Sequence, residues 1–477
     1  MVGGILMKEF MGKNFLLETN TAILLYEKFA KKMPIFDYYC QINPQEIYEN
    51  RKFDNLTEVW LADGPYGDYH KWHVMRAQGI GEEFITGDAA SEEKFMKWAE
   101  TVPYAIGNPL FHLTHMELET FFGIKELLNP ATAKKIYRKT KSQLSHLPVR
   151  KMIEKSNVKV LCTIDDPTDD LKWHLLLQEE KKFKTVVLPS FKPDKAIDIE
   201  KDSFSDWVKE LALASQIEIN DFSSFLQALK QRITFFDSVG CRLADHDLEE
   251  VVYLDAEEEQ VEKIFLKGIS KKKLSSEEIA QYKGYLLVFL GQEYAKYNWV
   301  QQYHIGILRN NSSRGLTALG EDNSFDAIND KPIAVPLVKI LDKLDSTNEL
   351  PKTILHCVNP QDNEIIAAIA GFFQSEIKGK IQLSSFWWFN NQKEDMIKQM
   401  TRLCNIGLIN NFIGMSNGSF GFMSYSRHDY FRRILCNFFG KLIEDGEYPN
   451  DIKLAGRIVQ DICYNNALNY FGVSDKK

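Results

Sequence analysis

Short apolar, β-rich runs ending in polar or aromatic residues recur along the chain, each followed by a longer stretch whose apolar positions fall at helical spacing. The runs occupy 34–41, 158–167, 184–194, 239–247, 299–310, 353–363, 380–390 and 411–419. Strands separated by helical stretches predict βα units and a parallel sheet, and a set of this size predicts closure into an α/β (β/α)8 TIM-type barrel. The interval from Gln41 to Val158 is far longer than one crossover helix needs, so an all-helical insertion is expected after the first strand. Its punctuation agrees: a Gly/Pro loop spans 60–72, Ser91 reads as a cap with Lys94, Phe95 and Trp98 at helical spacing, and Asn129 opens another helix. The first thirty residues also read as helix, with Leu16, Ile23, Leu24, Tyr26 and Phe29 as apolar positions covering the barrel floor or rim. The expected division is a helical segment at 1–33, the first barrel strand at 34–43, the insertion at 44–155 and the rest of the barrel at 156–477.

Composition narrows the class of protein. Of 477 residues, 44% are hydrophobic and 26% charged, the balance of a packed globular chain. The 58 basic residues against 66 acidic ones leave a net charge of −8, which disfavours nucleic acid as a partner. The longest apolar stretches, 365–373 and 285–290, fall well short of a bilayer span, so no membrane association is expected. The N-terminus lacks a long apolar core and a small-residue cleavage site, so no signal peptide is expected; initiation at Met7 is left open. The seven cysteines are scattered without a C-x-x-C pair, which points to buried reduced thiols in a cytoplasmic protein.

A barrel of this kind builds its site at the C-terminal ends of the strands. The polar tails there hold Asp165, Asp166, Lys192, Asp245, His246, His304, Arg309, Asn359, Asp362, Asn363, Trp387, Trp388, Asn390 and Lys393. Long segments at 106–118, 163–167, 188–195, 301–311, 386–393 and 424–435 make the chain closely similar to the uronate isomerases, divergent members of the amidohydrolase-like barrels. The resemblance runs from Asn14 to Phe471. It implies interconversion of hexuronates with keto-hexuronates, D-glucuronate to D-fructuronate and D-galacturonate to D-tagaturonate, with a small-molecule hexuronate as partner and a divalent metal such as zinc in the family site.

The departures fall on that site. The family pattern of His-x-His on the first strand reads Tyr39-Cys40-Gln41, and the family's last-strand Asp and Arg read Gly418 and Phe420. Tyrosine, glutamine and glycine are poor Zn²⁺ ligands, so no metal and no other cofactor is expected. The family's His-Tyr-Lys-Trp loop reads Tyr69-His70-Lys71-Trp72, and a strand-end Arg is Lys192, which keeps the charge but loses bidentate recognition of a carboxylate. Asp165, Asp166, His246, His304, Arg309, Trp387 and Trp388 match the pattern.

Candidate catalytic residues are Asp166, His246 and His304, against a plainer reading of hydrogen-bonded barrel histidines and a helix-capping aspartate. Only one of the adjacent Asp165 and Asp166 can face the mouth, and Asp166 is favoured. Candidate substrate-binding residues are Tyr69, His70, Lys71, Trp72, Lys192, Arg309, Trp387 and Asn390. The mouth is expected to be lined by Asp166, Lys192, His246, His304, Asn359 and Asn390, with Tyr69 or His70 reaching over it. Ser424 and Ser426 lack a nucleophile-elbow context, so a hydrolase triad is not expected. The leading function is uronate isomerisation; the alternative is an impaired or inactive paralogue that binds a sugar acid or a homologous subunit. A homo-oligomer is compatible with either.

Overall fold

A computed structural model describes residues 8–61, 67–321, 323–384, 391–416, 418 and 421–474. Strands β1 (Ile35–Asp37), β2 (Val158–Cys162) and β3 (Val186–Leu188) form one parallel ladder. A second is built from β4 (Leu243–Leu248) and β5 (Val300–Ile305), then, after a small antiparallel pair of β6 (Ile307–Leu308) and β7 (Ala327–Ile328), from β8 (Lys352–Cys357) and β9 (Ile381–Ser384). Phe191 joins the two ladders through parallel bridges to Asp165 and Ala244. The strands therefore follow one another in chain order, as a (β/α)8 barrel requires.

The eighth run departs from expectation, because 412–416 forms no ladder strand. Positive φ at Gly414 (79°) and Gly418 (57°) interrupts the extended repeat that a ladder needs. The segment still bridges the barrel's ends by single bonds. The Gly418 N–H donates to the Tyr39 carbonyl at 3.0 Å, the Tyr38 hydroxyl to the Gly414 carbonyl at 3.1 Å, and the Gln382 amide to the Asn411 carbonyl at 3.1 Å.

Strand alternation sorts the side chains into two cores. Val160, Cys162, Leu243, Val300 and Ile354 pack together inside the barrel. Ala244, Leu248, Tyr303, Ile305 and Leu355 face the helical layer. The stretch after β1 is helical at Pro44–Glu49, Leu56–Trp60, Tyr69–Ala77, Ser91–Thr101, Pro109–Phe122, Ala133–Leu144 and Val149–Lys155, around a core that includes Trp60, Phe95 and Trp98. Asn43 and Asn108 cap helices that open on proline, accepting from the N–H of Gln45 and Leu110 at 2.8 and 2.9 Å. Ser91 was expected to cap its helix but is its first residue; the Glu93 carboxylate takes the Ala90 N–H instead, at 3.2 Å. Among the described residues no helix is long and apolar enough to cross a membrane.

The N-terminal helix Asn20–Leu25 lies against the long helix Ser426–Glu444, so close that a Cβ on Gly440 would stand 2.6 Å from the Ala22 nitrogen and the Thr19 hydroxyl. Gly440→Val should therefore overpack this contact and cost about 1–3 kcal/mol, read as a lower denaturant midpoint.

Candidate active site

A cavity of about 1170 Å³ opens at the C-terminal ends of the strands, lined by Tyr39, Asp165, Lys192, Asp194, Asp247 and Arg309 among others. The backbone around Lys192 is clamped. Phe191 donates to the Leu243 carbonyl at 3.0 Å and accepts from the Asp245 N–H at 2.8 Å, while the Lys192 N–H donates to the Asp165 carbonyl at 2.9 Å. Its ammonium then meets three carboxylates: Asp245 at 2.9 Å, Asp247 at 3.2 Å and Asp194 at 3.4 Å. Arg309 adds a second cation, 2.7 Å from Asp247 and 3.5 Å from Asp326.

Beneath this layer Asp245 is fully buried, with one oxygen on Lys192 and the other 2.9 Å from Nδ1 of His304. The His304 ring is sandwiched, with Tyr39 at 4.3 Å on one face and His356 at 4.1 Å on the other. Burial works to raise the Asp245 pKa, but Lys192 and His304 hold it well below the ordinary carboxylate range. Burial works against the charge of Lys192, yet Asp245, Asp247 and Asp194 outweigh it and hold the ammonium protonated far above its usual range. Asp247 is also lowered, burial being overcome by Lys192 and Arg309. Asp194 moves the other way, pushed up to about 8 by burial and by its two neighbouring carboxylates.

Asp165 faces a different setting from Asp166. Its carboxylate accepts from the Thr163 hydroxyl at 2.7 Å and the Ser190 N–H at 3.1 Å, and Nε2 of His174 lies 2.7 Å from the same hydroxyl. Burial raises Asp165 to about 8 against those hydrogen bonds, and burial alone lowers His174 to about 4. Asp166 shapes the following turn: its carboxylate accepts from the Thr168 N–H at 2.9 Å and Trp207 Nε1 at 3.0 Å and pairs with Lys195 at 3.1 Å. Both line the cavity.

His246 does not face the mouth. It shares the outward side of β4 with Ala244 and Leu248, so its ring packs 5.7 Å from Tyr294 and 5.4 Å from Tyr303, fully buried. The same alternation that turns His246 out turns Asp245 and Asp247 in. Asp247 and His356 were not singled out from the sequence. The signal for both was available, two residues from Asp245 and from Ile354 on their strands. Asn359 accepts from the Gln361 N–H at 3.1 Å as a helix cap and is not among the cavity's lining residues.

The Tyr69–Trp72 segment divides. Tyr69 lines the mouth, and Tyr69 and His70 line a neighbouring cavity of about 450 Å³ with Arg427 and Asp326. His70 is lowered to about 4, chiefly by burial. Lys71 and Trp72 turn away: Lys71 pairs with Asp68 at 2.7 Å, and Trp72 packs in the insertion core, its Nε1 donating to the Leu61 carbonyl at 3.4 Å. Trp387, Trp388, Asn390 and Phe420 lie outside the described residues.

Tyr39, Gln41 and Gly418 come together at one edge of the barrel, Gly418 through its bond to Tyr39 and Gln41 within the same cavity as Tyr39. They do not fit a transition metal. Burial holds the Tyr39 hydroxyl well above its usual pKa, so it is neutral, and its ring is committed to the His304 face. Asp245, Asp247 and His304, by contrast, offer ligand atoms all within 4.8 Å of one another, a donor set that the expectation of no cofactor passed over.

Parallel strands in chain order with a charged cavity at their C-terminal ends define an α/β barrel enzyme. The chain belongs to the glucuronate isomerase family, whose profile matches residues 7–471. It is 51% identical over 467 residues to the uronate isomerase of Caldicellulosiruptor bescii, covering 98% of this chain and 100% of that one. Against the uronate isomerase of Bacillus subtilis it is 48% identical over 474 residues, covering 99% of each. The uronate isomerase structure from Thermotoga maritima superposes with a TM-score of 0.91 at 30% identity, over 97% of this chain and 100% of that one. The glucuronate isomerase structure from Caulobacter crescentus shares the fold, with a TM-score of 0.89 at 20% identity over 98% of each chain. Identity at this level over the full length gives no support to an impaired paralogue.

The protonated Asp165 makes a signed stability prediction. Its folded pKa of about 8 exceeds the unfolded 3.8, so the folded state holds the extra proton in between. Stability should fall as pH rises from about 4 to about 8 and level off above that, and the difference between wild type and Asp165→Asn in urea midpoints across this window should carry that slope.

Proposed function

We propose that this protein interconverts hexuronates and keto-hexuronates, D-glucuronate with D-fructuronate and D-galacturonate with D-tagaturonate, in the cytoplasm. The full-length match to the isomerase family carries the reading. Moving a proton between adjacent carbons of an open-chain sugar needs a base, an acid and positive charge near the oxygens that become anionic. Asp247, kept ionised by Lys192 and Arg309, suits the base. Asp165, protonated up to about pH 8, and the neutral Tyr39 hydroxyl suit the donors. Arg309 suits the substrate carboxylate, since it lines the cavity and its planar guanidinium can hold a carboxylate by two hydrogen bonds, which the Lys192 ammonium cannot. His304, under Tyr39, orients Asp245, and His246 takes no part.

A coupled assay for keto-hexuronate formation tests this. Wild type should turn over glucuronate or galacturonate, Asp247→Asn should lose about 10²–10⁴ in kcat, and kcat should decline above about pH 8 as Asp165 loses its proton. Folded wild-type protein that converts neither sugar would overturn the reading.

A further inference from the structure

We propose that Lys192 is a tethered cation seated in a latent divalent-cation site formed by Asp245, Asp247 and His304. Two observations meet here. These three side chains present one ligand atom each within 4.8 Å, two carboxylates and an imidazole, a donor set suited to Mn²⁺ or Zn²⁺. The Lys192 ammonium already lies 2.9 and 3.2 Å from those same two carboxylates.

An ion bound to both carboxylates would share oxygens with the ammonium, and the two positive charges would repel at close range. The ammonium is not free to withdraw as a whole. Bridges from Phe191 to Asp165 and Ala244 fix the backbone at its root, and Asp194 holds it from a third side at 3.4 Å. The charges agree with substitution of one cation for another. Asp245 and Asp247 are opposed by Lys192 and Arg309; without Lys192 these two anions face one guanidinium, and the excess negative charge favours a cation between them. The positive charge at this point is thus built into the chain as a side chain, next to Tyr39, Gln41 and Gly418, which do not fit a metal.

Mn²⁺ binding, followed by loss of the free-ion electron paramagnetic resonance signal, tests the proposal without reference to activity. Wild type should take up no ion through these residues. Folded Lys192→Met, which keeps the stem and removes the charge, should bind one Mn²⁺ per chain at least tenfold more tightly, and Lys192→Met with Asp245→Asn should lose it. Lys192→Gln carries the same test if the Met variant does not fold. A gain below tenfold in a folded variant, or a wild-type ion that Asp245→Asn abolishes, overturns the proposal.

Discussion

A carboxylate sealed from water must be matched by positive charge, and Asp245 is the point at which this barrel meets that demand. Leaving such a group unpaired commonly costs about 3–5 kcal/mol, so its partners are fixed along with it. One oxygen holds Lys192 and the other faces His304. Lys192 in turn gathers Asp194 and Asp247, Asp247 orients Arg309, and His304 provides the surface on which Tyr39 lies. The mouth is one electrostatic unit in which each charge is placed by its neighbours.

That unit also explains which parts of the site could be read in advance. The apolar runs mark seven barrel strands and the helices between them, because burial periodicity is a local property. The eighth run carries the right apolar residues, yet Gly414 and Gly418 take it out of a ladder, and a glycine's φ is not written in its neighbours. His246 looked as promising as His304 because histidine chemistry draws attention; strand parity, which sends it into the helical layer, is the stronger criterion. Strand parity suggested that only one of Asp165 and Asp166 would face the mouth, with Asp166 favoured; both line the cavity, because Asp166 lies past the strand end, where its carboxylate caps the turn. Family resemblance located Tyr39, Gln41 and Gly418 together; that Tyr39 would lie flat on an imidazole depends on packing across the barrel, which spacing along the chain does not encode.

The electrostatic contrast within one cavity matters for the chemistry. Asp247 is stabilised as an anion by two cations, whereas Asp165, which meets a hydroxyl, an amide and a neutral His174 imidazole at 3.7 Å, keeps its proton. Two residues of the same type thereby acquire opposite readiness to accept or release a proton. Tyr69 borders both this cavity and the one beside it, so the helix Tyr69–Ala77 reaches the mouth through its first residue while Trp72 holds it to the insertion core.

The backbone at Gly418 couples two positions that lie far apart in the sequence. Its φ of 57° and its bond to the Tyr39 carbonyl tie two distant sequence positions to one local geometry. A branched or bulky side chain there meets conformational strain, so a change at Gly418 must be absorbed by the same backbone that carries Tyr39. Substitutions at these two positions are thereby energetically linked, each changing what the other costs.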